Sequence, residues 1–544
     1  MTRGLVVAPE GNEVAAAGAH ALRMGGNAVD AAVATAFAQC VANPLLCGLG
    51  GIGEMLVYSA STQDVYDIDF GGVVPRNFPT DLFSSQVIGR DEIIGRYAVQ
   101  GERNQMGYLS VMVPSFVKGM ERAHLQFGSR IVPWEQLLLP AVRLASQGTS
   151  LNEYLAEHFR STQETSSSYP ALPDGSVRPG YPSLEEKLQG RQLESELVFP
   201  HGRQRQVGEA LVQKSLGRTL GVIAVHGAEA FYTGDIAGRM ADDFGANGGY
   251  MDAEDLAQYS VRVSRALDIS TGRGSLRIGP PPSAGMQLAQ MIALVEHIGV
   301  PLIHNSAEYI DRLARIMQVV FYDQRFVKTW RFGVSPSWDK YLASEEIAAA
   351  ANRVESTSRA TSAAAGGGTT HVTTCDEHGN AVSLTHSIGS IAGAGMMTED
   401  LGFFYNNFLG HLNPCQGSPD SITPGARIGS LCPAIWTQNG SLRLALGSPG
   451  GSRLTTSTLQ TILNHLWFGF SIQTAVSLPR FHAEEKNLLH VESALRTREG
   501  IALSGLGYTL LDSTYVGRVQ AIARLGQDLI PGADPRGGMG VQIV

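Results

Sequence analysis

The chain has 544 residues, 43% hydrophobic and 17% charged, with 63 glycines and 25 prolines. That length carries several domain-sized units and a large core, and the composition excludes a disordered, collagenous or coiled-coil chain. A net charge of −9 leaves no basic surplus for phosphates or anionic lipid, so neither nucleic acid nor a membrane is an expected partner.

The first ten residues, Met1 to Glu10, hold too short an apolar run for a signal-peptide core. The most apolar window, Ala28 to Leu46, is broken by Asp30, Gln39 and Asn43 and is no membrane span. A soluble, cytoplasmic protein is expected. Five cysteines (Cys40, Cys47, Cys375, Cys415, Cys432) without CxxC spacing argue against a disulfide framework or a zinc site.

Asn12 to Met24 reads as a helix closed by Gly25-Gly26. Asn27 can cap a second helix to about Val41, apolar nearly all round and therefore buried. Glu54 to Ser59 and Val65 to Phe70 read as strands. Between Gly148 and about Gly217 the chain is richer in Gln, Ser, Glu and Arg and reads as a surface excursion or lid. Ala348 to Gly368 has almost no large apolar residue and reads as a linker.

After it comes a hairpin pattern: Thr369 to Cys375, a turn cluster Asp376 to Asn380, then Ala381 to Ser387. A turn centred on His378 sets Thr369 opposite Ser387, two hydroxyls facing each other at the first residue after the linker. A threonine hydroxyl is a poor nucleophile without a base. The nearest base would be its own α-amine once the preceding peptide bond is cut, titrating at about 7.7–8.0. Further on, the glycines of Leu446 to Arg453 open a helix-period segment and leave backbone N–H groups free for an oxyanion.

Other signals read as ordinary structure. Gly48-Leu49-Gly50-Gly51-Ile52-Gly53 matches the dinucleotide pattern, but a strand follows where a helix is needed. Thr385 to Gly389 lacks the first glycine of a nucleophile elbow. His371, His378 and His386 show no compact ligand spacing, so neither a metal nor a cofactor is expected.

These blocks, together with Gly25 to Ala32, Val113-Pro114-Ser115, Phe231 to Gly234, Pro280 to Ser283, Gly447 to Arg453 and Pro479 to His482, resemble the γ-glutamyltranspeptidase family of N-terminal nucleophile (Ntn) hydrolases. The resemblance implies an α+β fold, a four-layer αββα sandwich, built from a precursor that cuts itself between Gly368 and Thr369. Residues 1–368 would form the large fragment and 369–544 the small catalytic one, associated with each other. It makes Thr369 the nucleophile, Ser387 the second hydroxyl, and Gly450 and Gly451 the oxyanion-hole pair. It also implies departures. Where glutathione-cleaving members hold the glutamyl head, this chain has Gly71 for an arginine, then Gly389, Phe408, His411 and Gly429, with only Ser430 retained. Arg427 could hold a carboxylate from a new direction. A small amide without the glutamyl head is the expected substrate, as in cephalosporin-acylase-like and oxamate-amidohydrolase-like members.

Overall fold

The Asn27 side chain accepts the N–H groups of Val29 and Asp30, and the Asp30 carboxylate accepts the N–H of Asn27. This capping box starts the helix Ala28–Ala42, all of whose residues are buried, as its unbroken apolar surface requires. The computed structural model describes residues 4–90, 97–160, 182–322, 329–330, 338–356, 368–483, 487–513 and 516–544.

Two antiparallel sheets form the centre. The first runs Gly540–Ile543, Gly4–Ala8, Gly368–Asp376, Ala381–Gly389, Ile52–Tyr58, Val65–Phe70, Arg262–Arg265. The second runs Asp528–Ala533, Gln520–Leu525, Ser441–Gly447, Ala434–Gln438, Gly274–Ile278, Leu267–Thr271. Side chains alternate across a strand, and here alternation sorts them into layers. Leu5, Val7, Leu56, Tyr58, Cys375 and Ala381 of the first sheet meet Ile435, Leu442, Ala445, Ile522 and Ala533 of the second. Opposite faces are covered by helices, Asn12–Arg23, Ala28–Ala42, Phe116–Phe127 and Trp134–Gln147 on one side and Gly285–Ile298, Ala307–Tyr322 and Arg453–Ile462 on the other. This is the αββα sandwich. Both sheets take strands from either side of the Gly368–Thr369 bond.

Three sequence expectations are corrected. The first residues of the supposed linker, from Ala348, belong to the helix Ser344–Glu355, which buries Ile347, Ala350, Ala351 and Val354. Ala350 and Ala351, with Ile347 and Val354 at helical spacing, bury a face that a count of large apolar residues misses. Residues 357–367 of the linker lie outside the described residues. The excursion after Gly148 is more than surface, because Leu151, Tyr154, Leu155, Leu184, Leu188 and Val198 join the main core cluster. Finally, the strand predicted from Glu54 starts earlier and spans Ile52–Tyr58. The glycines before it allow close packing: a Cβ on Gly50 would sit 2.4 Å from the Phe404 carbonyl oxygen, and one on Gly51 2.6 Å from that of Ser387. Among the described residues no helix is long and apolar enough to cross a membrane.

Candidate active site

The hairpin turn is tied by one side chain. Asp376 accepts the N–H groups of His378 and Asn380 on Oδ1, while Gly379 takes the positive φ of 85° that the turn needs. This turn sets the register Cys375 with Ala381 through Thr369 with Ser387, the pairing expected from the sequence. The register shifts between Gly368 and Thr369, the bond at issue.

Thr369 and Ser387 are both buried, and the Thr369 hydroxyl donates to Ser387 Oγ at 3.1 Å. The Ser387 hydroxyl in turn donates to the carbonyl oxygen of Gly368, and its oxygen also accepts the Gly389 N–H at 2.9 Å. Thus one serine touches both the attacking oxygen and the carbonyl before it. Such a contact polarises the carbonyl and offers the threonine proton a path.

Beneath them His371 bridges Thr385 (2.8 Å) and Thr373 (3.0 Å). Thr373 gives its hydrogen to the Gln520 carbonyl, so it accepts from His371 Nε2, and Nδ1 accepts from Thr385. Burial, and after it His386, push the His371 pKa down to about 3. It is a neutral strut. The end of the second sheet lies on this ring: a Cβ on Gly447 would be 2.3 Å from His371 Cε1. From there the chain turns through Gly450 (φ 133°) and Gly451 (φ 61°) into the helix Arg453–Ile462. Among the described residues neither glycine N–H donates a hydrogen bond.

The remaining sequence-predicted positions are filled from elsewhere in the fold. A Cβ on Gly71 would lie 2.2 Å from the Ile428 carbonyl oxygen and 3.3 Å from Arg427 Cγ. One on Gly389 (φ 100°) would lie 2.1 Å from Asn407 Oδ1, and one on Gly429 3.0 Å from Pro282. Phe408 is buried in a cluster with Ile52, the residue paired with Ser387, and stacks on His411 with ring centres 5.0 Å apart. Ser430 is half-buried.

Arg427 corrects the expectation of a free carboxylate clamp. Its guanidinium donates to the carbonyls of Asp69, Gly71 and Ser260 and to the Tyr259 hydroxyl, with the Asp69 carboxylate at 3.6 Å. The cation is engaged by the protein itself.

Sequence reasoning missed Lys187. It is buried, and its Nζ donates to Ser390 Oγ (2.5 Å) and to the carbonyls of Ile391 (2.8 Å) and Gly393 (2.7 Å). Asn407 holds the same serine, accepting its N–H at 3.0 Å and donating to its hydroxyl at 2.7 Å. Together they fix the loop leaving the Ser387 strand. A lone lysine in a polar stretch gives no signal in sequence, since its acceptors, one hydroxyl and two backbone carbonyls, lie some 200 residues away.

The profile of the family described as Gamma-glutamyltranspeptidase matches residues 14–544. The Acylase ACY 1 proenzyme of Pseudomonas sp. (strain V22) is 32% identical over 539 residues, spanning 96% of this chain and 90% of its own. The Glutathione hydrolase proenzyme of Bacillus subtilis (strain 168) is 29% identical over 537 residues, spanning 93% and 85%. Cephalosporin acylase from Bacillus halodurans shares the fold, with a TM-score of 0.85 at 22% identity over 100% of this chain and 96% of that one. With the hairpin, the paired hydroxyls and the glycine turn in place, the chain belongs to the γ-glutamyltranspeptidase family of Ntn amidohydrolases and acyltransferases.

Proposed function

We propose that the chain cleaves itself between Gly368 and Thr369 and then hydrolyses a small amide lacking the glutamyl head, through an acyl-enzyme on Thr369. In the first reaction Thr369 Oγ1 attacks the Gly368 carbonyl carbon, which Ser387 polarises. The C–N bond breaks as the C–O ester forms, and the threonine proton ends on the departing amine. One water then splits the ester, releasing the Gly368 carboxylate. The freed α-amine titrates at about 7.7–8.0 and serves as base for the second reaction. Gly450 and Gly451 N–H groups would receive the oxyanion.

The observation that carries the substrate reading is the closure of Gly71, Gly389 and Gly429 by Ile428, Asn407 and Pro282. Those are positions where the resemblance puts side chains that hold a zwitterionic head, and Arg427 gives no replacement. Phe408 and His411, at the other head-binding positions of the resemblance, stack on each other.

The test pairs a denaturing gel with mass spectrometry of the 369–544 fragment after exposure to glutathione and to a panel of simple amides. Two unequal bands and acyl adducts on Thr369 from non-glutamyl amides are expected. A single full-length band after prolonged incubation would identify an inactive scaffold. Adducts and efficient turnover from glutathione alone would identify a glutathione hydrolase with a rebuilt pocket.

A further inference from the structure

The outer face of the catalytic hairpin holds a second polar cluster that acyl chemistry does not use. Cys40 lies on the helix Ala28–Ala42, Cys47 in the loop after it, and His386 on the strand Ala381–Gly389. All three are buried, and their two sulfurs and one ring nitrogen fall within 4.8 Å of one another. Among the described residues no other three His, Cys, Asp or Glu side chains gather this closely. Their separation along the chain hides the cluster from any spacing motif.

The imidazole has the form of a ligand. Gln39 Nε2 donates to Glu10 Oε2 at 2.8 Å and to the His371 carbonyl at 3.1 Å. A carbonyl only accepts, so the Gln39 atom 2.9 Å from His386 Nε2 is the amide oxygen, and Nε2 carries the ring hydrogen. Nδ1 is then a bare lone pair, buried and, among the described residues, without a hydrogen-bond partner. Leaving such an acceptor unmet in a buried site is unfavourable. A ring N–H fixed by an amide oxygen is also the outer support that metal-bound histidines use.

We propose that Cys40, Cys47 and His386 bind one zinc ion behind the catalytic hairpin. Thiolate and imidazole donors select zinc over the hard cations magnesium and calcium. Two thiolates and a neutral imidazole also cancel the divalent charge in a site closed to water. Zinc–ligand bonds of about 2.3 Å to sulfur and 2.0–2.1 Å to nitrogen place tetrahedral ligand atoms about 3.5–3.8 Å apart, so the cluster closes by about 1 Å. Loading exchanges two S–H bonds for two S–Zn bonds and releases two protons, without redox change. Deprotonation ends the Cys47 thiol's present hydrogen bond to the Asn43 carbonyl at 3.4 Å, and that carbonyl keeps the N–H groups of Leu46 and Cys47. All three ligands are buried, so zinc is expected to enter as the chain folds. Because His386 precedes Ser387, the ion would stiffen the strand that carries the second hydroxyl.

The readout is metal content, which is independent of the acyl chemistry above. Full-length protein expressed with zinc in the medium should hold about one zinc per chain, as a structural site does. Refolded with cobalt(II) instead, it should show thiolate-to-cobalt charge-transfer absorption. Cys40→Ser and Cys47→Ser should each weaken zinc binding by at least the roughly 10–100-fold that losing a mere outer partner costs, and so lower the zinc retained, whereas Cys415→Ser should leave it unchanged. The wild-type cobalt spectrum decides even where a serine variant does not fold. A wild type with neither bound zinc nor that absorption overturns the proposal, as would full zinc content in both folded serine variants.

Discussion

Thr369 and Ser387 differ in what their hydroxyls touch, and their truncations should differ accordingly. Thr369→Ala removes the attacking oxygen, so both self-cleavage and turnover should fall by ~10³-fold or more. A gel time course checks it, and a variant that still splits before position 369 would refute the assignment. Ser387→Ala keeps the nucleophile but loses the contact to the Gly368 carbonyl. Processing should slow by about 10²–10³-fold, the usual cost of one oxyanion donor, while the circular dichroism spectrum is unchanged. Position 71 behaves otherwise. A side chain there meets the Ile428 carbonyl oxygen at 2.2 Å, so Gly71→Arg should lower stability by about 1–3 kcal/mol and yield no glutathione cleavage, alone or with His411→Asp. Thermal melting and kcat/KM on glutathione test this; a folded Gly71→Arg variant that gains turnover would mean the backbone opens.

At the scale of elements, Lys187 links the helix Leu184–Leu188 to the loop that follows Ser387. Lys187→Met would take the donor from the Ile391 and Gly393 carbonyls and leave the Ser390 hydroxyl to Asn407 alone, an expected loss of about 3 kcal/mol. Because the loop holds Gly389 opposite Gly368, processing should also slow, and Lys187→Arg should restore part of it. A melting shift with an unchanged cleavage half-time would show that the loop keeps its place without the cation. Local chemistry explains which elements were legible. Asn27 and Asp376 act within a few residues of themselves, so a cap and a hairpin register followed from spacing alone. The helix Ser344–Glu355 was obscured by an alanine-rich face, and the partners of Arg427 lie on segments more than 150 residues away. The closing of Gly71, Gly389 and Gly429 is likewise tertiary, visible only when distant backbone meets them.

For the molecule as a whole, the seam between the two sheets contains a carboxyl pair whose proton links stability to pH. Glu54 and Asp67 project from neighbouring strands of the first sheet, and Glu54 Oε1 and Asp67 Oδ1 both lie against Gly279, at the end of a second-sheet strand. Among the described residues neither of these two oxygens has a hydrogen-bond partner. Burial, then Asp67 beside it, hold the Glu54 pKa well above the carboxylate range; burial, then Asp69, do the same for Asp67. The folded chain therefore retains protons that the unfolded chain releases above about pH 4. Stability is full below that pH and declines as pH rises through the folded pKa values, by at most about 1.4 kcal/mol per pH unit for each proton. Glu54→Gln replaces one of the two titrating groups by a neutral amide that needs no proton. The variant should match its parent near pH 4 and become progressively more resistant to urea toward pH 8. Both should carry Thr369→Ala, so that a single uncleaved chain is unfolded in every case. A urea-midpoint difference that stays constant with pH, or narrows as pH rises, would show that the pair is already ionised and solvated within the fold.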